Sequence, residues 1–176
     1  RASEIAVCPL YGDLPQSEQD RAIRPDISGR TRIILSTNIA ETSLTIEGVG
    51  TVVDSGLARF LRFDPRTGLS RMETGRISKA SAVQRMGRAG RTGPGLCIRL
   101  YSQDEFRRLA DQIPPELLEA DLAPLVLELA LWGALPEKLK FLDPPPAAHL
   151  EKARGLLAEL GALDKDLHIT PVGRGM

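Results

Sequence analysis

TRIILSTNIAETSLTIEGVGTVVD, residues 31–54, carries two short apolar runs on either side of a polar bridge. Thr31–Ser36 (TRIILS) is β-branched and apolar, which predicts a buried strand, and Thr51–Asp54 (TVVD) predicts another. The polar residues 37–45 between them suit a connecting loop or the start of a helix. Upstream, Ile5–Leu10 (IAVCPL) reads as a further short buried strand, and Gly12-Asp13 turns the chain. Ser17 is placed to cap a short helix over residues 18–23, which should stop before Pro25 because the residue ahead of a proline is pushed out of the helical region. Downstream, residues 95–101 (GLCIRLY) form another apolar run. Strands alternating with short helical segments predict an α/β fold built on a parallel sheet with helices on both faces.

Residues 58–76 read differently. Two arms rich in Arg and apolar residues flank Asp64-Pro65-Arg66-Thr67-Gly68, whose Asp, Pro and Gly suit a tight turn, so a β-hairpin insertion with a basic surface is expected. Ser78 then caps a predicted helix running to about Gly90. Beyond Tyr101 the pattern turns helical. Leu122, Leu125, Leu129 and Trp132 recur at helical spacing, with Asp121 as N-cap and Gly133 as stop. Leu150, Ala153, Leu157 and Leu160 form a second stripe ended by Gly161, and Pro144-Pro145-Pro146 separates the two. Thr170-Pro171 has the cap-then-proline signature of one more helix start. The expected domains are therefore 1–103, α/β, and 104–176, small and mainly α.

The 176 residues, 42% hydrophobic and 26% charged, are typical of a globular chain. No apolar run approaches the roughly 18 residues of a membrane span, and no signal-peptide pattern opens the sequence. A first residue other than Met, with a helix start close to Met176, leads us to expect a segment of a longer polypeptide. Cys8 and Cys97 stand singly in apolar runs, as buried thiols in a reducing cytoplasm would. His149 and His168 have no apparent carboxylate or Cys partner, and no metal site is expected. The zero net charge hides an asymmetry: residues 1–100 hold 15 Lys/Arg against 10 Asp/Glu, whereas residues 101–176 hold 8 against 13. Residues 58–100 alone hold 10 basic and 2 acidic residues, a density that favours a polyanionic partner.

The sharpest chemical signal is Gln84-Arg85-Met86-Gly87-Arg88-Ala89-Gly90-Arg91. Gln84, Arg88 and Arg91, at i, i+4 and i+7, would share one face of a continuing helix. Gly87 and Gly90 would each cost about 0.8–1 kcal/mol relative to Ala there. Accepting both beside three arginines points to a need for close backbone approach to something. Guanidinium forks, planar and permanently charged, suit a polyphosphate. The second signal, Ser36-Thr37-Asn38-Ile39-Ala40-Glu41-Thr42-Ser43-Leu44-Thr45-Ile46, follows a buried strand and so lies at the carboxyl edge of the sheet, where α/β folds bind ligands. Its hydroxyl and amide groups can bond phosphate oxygens without reading bases.

QRMGRAGR resembles motif VI, and STNIAETSLTI motif V, of the DEAH-box helicases of superfamily 2. VVDSG and the basic hairpin lie between them in the family's order. PLYGDLPQSEQDRAI resembles the motif IV region, and the tail LEADLAPLVLELALWG to LLAELGAL resembles the family's winged-helix domain, here truncated. The likeness spans the chain and is nearest the bacterial HrpB branch. It implies that residues 1–103 are the second RecA-like domain of an ATP-dependent RNA helicase. Arg88 and Arg91 would then be arginine fingers for the γ-phosphate of ATP, and Gln84 would lie near that phosphate and the attacking water. Thr37, Asn38, Thr42 and Ser43 match positions that contact the RNA backbone, and Thr45 and Glu47 fall near the nucleotide ribose. The hairpin, Arg66 at its tip, matches the strand-separating hairpin. Ile23 stands where eukaryotic relatives stack an aromatic residue on the base; an aliphatic group gives apolar contact without stacking.

The sequence contains no GxxxxGK[ST] phosphate loop and no DEAH box. The resemblance therefore implies that ATP is shared with a first RecA-like domain of the same polypeptide, which would hold the Mg²⁺. RNA, or alternatively DNA, is the expected partner, with a monomeric cytoplasmic protein and no membrane association. The competing expectation is a non-catalytic nucleic-acid-binding module. Such a module has no evident use for Gln84, Arg88 and Arg91 gathered on one face.

Overall fold

The computed structural model describes residues 5–42, 44–64, 66–91 and 93–176, and only the backbone of Thr42. It divides into two compact units, one comprising residues 1–59 and 74–113, the other residues 60–73 and 114–176.

In the first unit, β1 (Ile5–Leu10), α1 (Gln16–Ile23) and β2 (Thr31–Ser36) form a parallel crossover. Ile5 stands opposite Thr31 and Leu10 opposite Ser36. Alternate residues turn one face of this pair inward. Cys8, Leu10 and Ala22 are buried there with Ile23, Ile34, Ile39, Ala40, Leu44 and Ile46 against them. The other face presents Ile5, Val7, Ile33 and Leu35 to solvent.

The helix α1 begins at Gln16, not Glu18, and Ser17 does not cap it. Pro15, with its fixed φ of −53°, makes the entry, and its carbonyl accepts the N–H groups of Glu18 (2.9 Å) and Gln19 (3.1 Å). As expected, α1 stops before Pro25, with Arg24 extended. Arg32 reaches back from β2 and donates to the carbonyls of Ala22 (3.1 Å) and Arg21 (3.2 Å), which the helix end leaves unpaired.

Four residues of the polar bridge form α2 (Ile39–Thr42). The second parallel pair, β3 (Thr51–Asp54) and β6 (Leu96–Arg99), sets Thr51 against Leu96 and Asp54 against Arg99. Between them in sequence lie the hairpin strands β4 (Leu57–Asp64) and β5 (Leu69–Arg76), followed by α3 (Lys79–Met86). Among the described residues the two parallel pairs are separate sheets. Ser78 caps α3 as expected, its Oγ accepting the Ser81 N–H at 3.1 Å. Ile77, Ala82, Tyr101 and Leu109 form a buried cluster with Ala58 and Phe106, the last on α4 (Gln103–Arg108).

The hairpin matches its expected turn. Asp64 accepts the Arg66 N–H on its carboxylate (2.9 Å) and the Gly68 N–H on its carbonyl (2.9 Å), while Gly68 takes φ +69°. Pro65, read as part of that turn, lies outside the described residues.

In the second unit, α5 (Ala123–Trp132) and α6 (Ala147–Glu159) bury Leu122, Ala123, Val126, Leu150, Ala153 and Leu157 together with Ala162 and Leu163. Gly133 (φ +73°) and Gly161 (φ +68°) end the two helices in the left-handed conformation that glycine accepts without penalty. Two stripe residues do not join the core: Trp132 is 75% and Leu160 52% exposed, because each lies in the last turn of its stripe, beyond the packed residues Leu129 and Leu157. Leu122, not Asp121, is the N-cap of α5, although the Asp121 carboxylate does accept the Ala123 N–H at 3.0 Å. Thr170 caps α7 (Pro171–Arg174) by accepting the Gly173 N–H at 3.2 Å.

His168 is not without a carboxylate neighbour. Asp164 organises the turn between the bridged residues Leu163 and Ile169 by accepting the Asp166 and His168 N–H groups (2.9 Å each), and its Oδ2 lies 3.7 Å from His168 Nδ1. Cys8 is buried and Cys97 partly so. No helix among the described residues is long and apolar enough to cross a membrane.

Candidate functional site

The helix α3 ends at Met86, so Arg88 and Arg91 do not continue a helical face from Gln84. Gly87 is its C-cap. The next turns tighten: the N–H groups of Arg88 and Ala89 reach back only three residues, to the carbonyls of Arg85 and Met86 (3.1 Å each). Gly95, just ahead of β6, packs closely on this turn: a Cβ built on it would lie 2.0 Å from the Ala89 carbonyl oxygen. The close approach belongs to Gly95 and not to the two motif glycines: a Cβ on Gly90 would meet nothing within 4 Å, and one on Gly87 only the carbonyls of Gln84 and Val83 at ordinary contact distance.

This geometry points Arg88 at α2. Its Nε donates to the Glu41 carbonyl at 3.0 Å and its Nη1 to the Leu44 carbonyl at 2.8 Å, while Nη2 also donates to Glu41. Glu41 belongs to the four-residue helix α2, too short to satisfy its own last carbonyls, and the guanidinium joins its carbonyl to that of Leu44 beyond the helix end. Burial, and after it the nearby Arg91 charge, pull Arg88 below the ordinary guanidinium value; it remains cationic at neutral pH. The exposed Arg91 donates to the Thr45 hydroxyl at 2.5 Å. Gln84 and Glu47 are exposed.

Arg85 makes the most buried ionic contacts here. Its side chain is 15% exposed, with Nε 3.0 Å from Glu41 Oε2 and Nη1 2.9 Å from Asp54 Oδ1. The same Nη1 donates to the Leu57 carbonyl at 3.1 Å. Asp54, fully buried at the end of β3, also accepts the Gly56 N–H (3.0 Å) and the Tyr101 hydroxyl (2.9 Å). Burial first, then the bond to Asp54, push Tyr101 up to about 12. The sequence reading assigned no role to Glu41, Asp54, Arg85 or Tyr101. A signal was present, in an acid that closes the apolar TVVD strand and therefore needs a buried partner.

Thr37 and Asn38 are exposed at the carboxyl edge of β2; the Thr37 N–H donates to the Leu10 carbonyl at 3.1 Å, and the Asn38 carbonyl accepts the Glu41 N–H at 2.9 Å. Ser43 and the Thr42 side chain lie outside the described residues. Ile23 packs with the β1–β2 cluster. Arg66, 89% exposed at the hairpin tip, falls in the other compact unit and lies 3.7 Å from Asp64.

The site is thus a short parallel α/β unit in which two arginines on the turn after α3 face a polar strand-to-helix loop. Residues 1–93 match the helicase conserved C-terminal domain model. The ATP-dependent RNA helicase HrpB of Escherichia coli (strain K12) is 48% identical over 163 residues, which is 92% of this chain and 20% of that protein. The mouse protein named probable ATP-dependent RNA helicase DHX34 is 44% identical over 168 residues, 95% of this chain and 15% of the relative. A crystal structure of the E. coli DEAH/RHA helicase HrpB superposes with a TM-score of 0.90 at 46% identity, covering 97% of this chain and 22% of that one. The chain thus spans a fifth or less of these curated relatives, and it belongs to the helicase conserved C-terminal domain family.

Proposed function

We propose that the chain is the C-terminal motor half of an ATP-dependent RNA helicase that couples nucleotide hydrolysis to RNA remodelling. The reading rests on one observation above others: Arg88 and Arg91 leave α3 side by side and both reach the 41–45 loop, the segment expected to meet nucleic acid. Residues 1–103 are the proposed second RecA-like domain and residues 104–176 the proposed winged-helix-like domain.

In this proposal ATP, with Mg²⁺ held by a first RecA-like domain of the same polypeptide, supplies the transferable phosphoryl group. Two guanidiniums on one turn fit phosphate oxygens, whereas Glu41 and Asp54 are already engaged by Arg85 and are not offered to a metal. Arg88 and Arg91 stabilise charge that develops on the phosphoryl oxygens, a contribution worth about 10³–10⁵ in rate for arginine fingers. Gln84 orients water near the same oxygens. Thr45 and Glu47 accept the ribose hydroxyls, and Ile23 gives apolar contact towards the base. Thr37, Asn38, Thr42 and Ser43 hold the RNA backbone, and Arg66 at the hairpin tip meets the strand being displaced. RNA as the substrate, a monomeric state and a cytoplasmic location belong to the same proposal.

The test is Arg88→Ala in the full-length protein. ATP hydrolysis at saturating RNA should fall by about 10²-fold or more, chiefly in kcat, with RNA affinity retained. Arg88→Lys should not restore it, because an ammonium lacks the planar fork. Collapse of RNA affinity with near-normal hydrolysis would make Arg88 a nucleic-acid contact and overturn its assignment as an arginine finger.

A further inference from the structure

Arg85 is absent from the roles assigned above, yet it joins three segments. Its guanidinium holds the Glu41 carboxylate on α2 (3.0 Å), the Asp54 carboxylate at the end of β3 (2.9 Å) and the Leu57 carbonyl at the base of the hairpin (3.1 Å). Asp54 is itself fixed by Tyr101 and Gly56, so one end of this bridge is immobile. The other end is α2, whose Ile39 and Ala40 pack on the β1–β2 cluster and whose Glu41 is held, among the described residues, from the α3 end. Arg88 grips the Glu41 and Leu44 carbonyls, and Arg85 grips the Glu41 side chain.

The two arginines differ in what an anionic ligand would ask of them. A phosphate oxygen can draw Arg88 from its carbonyls only if those carbonyls lose their donors, which leaves the C-terminal end of α2 held by its apolar packing and the Glu41 side chain. Arg85 sits between two carboxylates and has no reason to move. We propose that Arg85 is a positioning residue that pins α2 through Glu41 while Arg88 exchanges its loop carbonyls for a polyphosphate, so that the 37–45 loop and the arginine turn act as one coupled element. The coupling rests on the helicase reading. Without the Arg85–Glu41 tie, release of Arg88 would free the Glu41 end of the loop from the arginine turn while Ile39, Ala40, Leu44 and Ile46 stay packed on β1–β2, and RNA on the loop would no longer be felt at the nucleotide.

The experiment is steady-state ATP hydrolysis by the full-length protein, with and without a single-stranded RNA, for Arg85→Lys, Glu41→Gln and the double variant. Arg85→Lys keeps the charge but cannot bridge two carboxylates in one plane, and Glu41→Gln is isosteric and far less prone to unfold the domain. The expected result is an unstimulated rate and ATP KM near wild type, with the RNA stimulation factor reduced about tenfold, within the 5–150-fold range of ordinary allosteric couplings. The double variant should lose no more than either single one, because both remove the same tie. Equal loss of the stimulated and unstimulated rates, or full stimulation in Glu41→Gln, would overturn the coupling and leave the helicase reading standing. Absence of RNA-stimulated hydrolysis in the unmodified protein would overturn that reading, and the coupling with it.

Discussion

Asp54→Asn would remove the charge from a fully buried carboxylate that accepts from three donors, Arg85 Nη1 at 2.9 Å, the Gly56 N–H at 3.0 Å and the Tyr101 hydroxyl at 2.9 Å. The carboxamide can keep its oxygen toward Arg85 and Gly56 only by turning its NH₂ to Tyr101, whose hydroxyl must then accept. Geometry is thus nearly preserved, and the loss is mostly electrostatic. Breaking a buried ion pair by removing one partner costs about 3–5 kcal/mol when the survivor is left uncompensated. Arg85 keeps Glu41 at 3.0 Å and some solvent, so a loss of about 2–3 kcal/mol is expected for Asp54→Asn. Asp54→Ala should cost more, because it also leaves the Tyr101 hydroxyl and the Gly56 N–H without a partner, at about 1–3 kcal/mol for each buried orphan. Hydrogen exchange of the α3 and β3 amides, read across a urea series, reports this unit separately from the other. A loss below about 0.5 kcal/mol for Asp54→Asn, the size of an ordinary surface substitution, would refute the view that this cluster holds α3 in place.

Other outcomes follow from the same structure. Tyr101 has a folded value near 12 against an ordinary value of 10, so its contribution is complete below pH 10 and is lost as pH rises from 10 to 12. Thermal unfolding of wild type should therefore fall more steeply in that window than unfolding of Tyr101→Phe. Gly95→Ala places a Cβ 2.0 Å from the Ala89 carbonyl oxygen and must displace the arginine turn. Hydrolysis by the full-length protein should fall at least as far as thermal stability does, and an unchanged rate would argue against that turn. Residues 1–176 purified alone should show no ATP hydrolysis with or without RNA, and turnover surviving repurification would sink the two-half reading. RNA binding by residues 1–176 should weaken sharply between about 50 and about 200 mM salt if the proposed contacts to phosphates carry it. Tight sequence-specific binding at high salt would speak for a stand-alone module.

Much of this architecture was legible in the sequence, and where it was legible the cause was local. Ile5–Leu10, Thr31–Ser36 and Thr51–Asp54 are strands within the bounds their apolar, β-branched runs predict. Ser78, Gly68 and Gly133 cap or turn the chain through bonds and φ angles that involve only the next few residues. Motifs of this length also carried the family, since the residue order of two short segments was enough to suggest it. What tertiary structure decided lies where a distant segment outweighs the local preference. The run from Ser78 to Arg91 reads as one helix, but the helix ends at Met86, and Gly95, just ahead of β6, packs on the Ala89 carbonyl beyond it. The arginines that spacing placed on one face are instead aimed by partners more than forty residues away, the Glu41 and Leu44 carbonyls and the Thr45 hydroxyl. Arg85 and Asp54, which looked like one more cation and a strand-end acid, become the buried tie between α2, β3 and α3, because a charge removed from water must find its counter-charge wherever the fold delivers it.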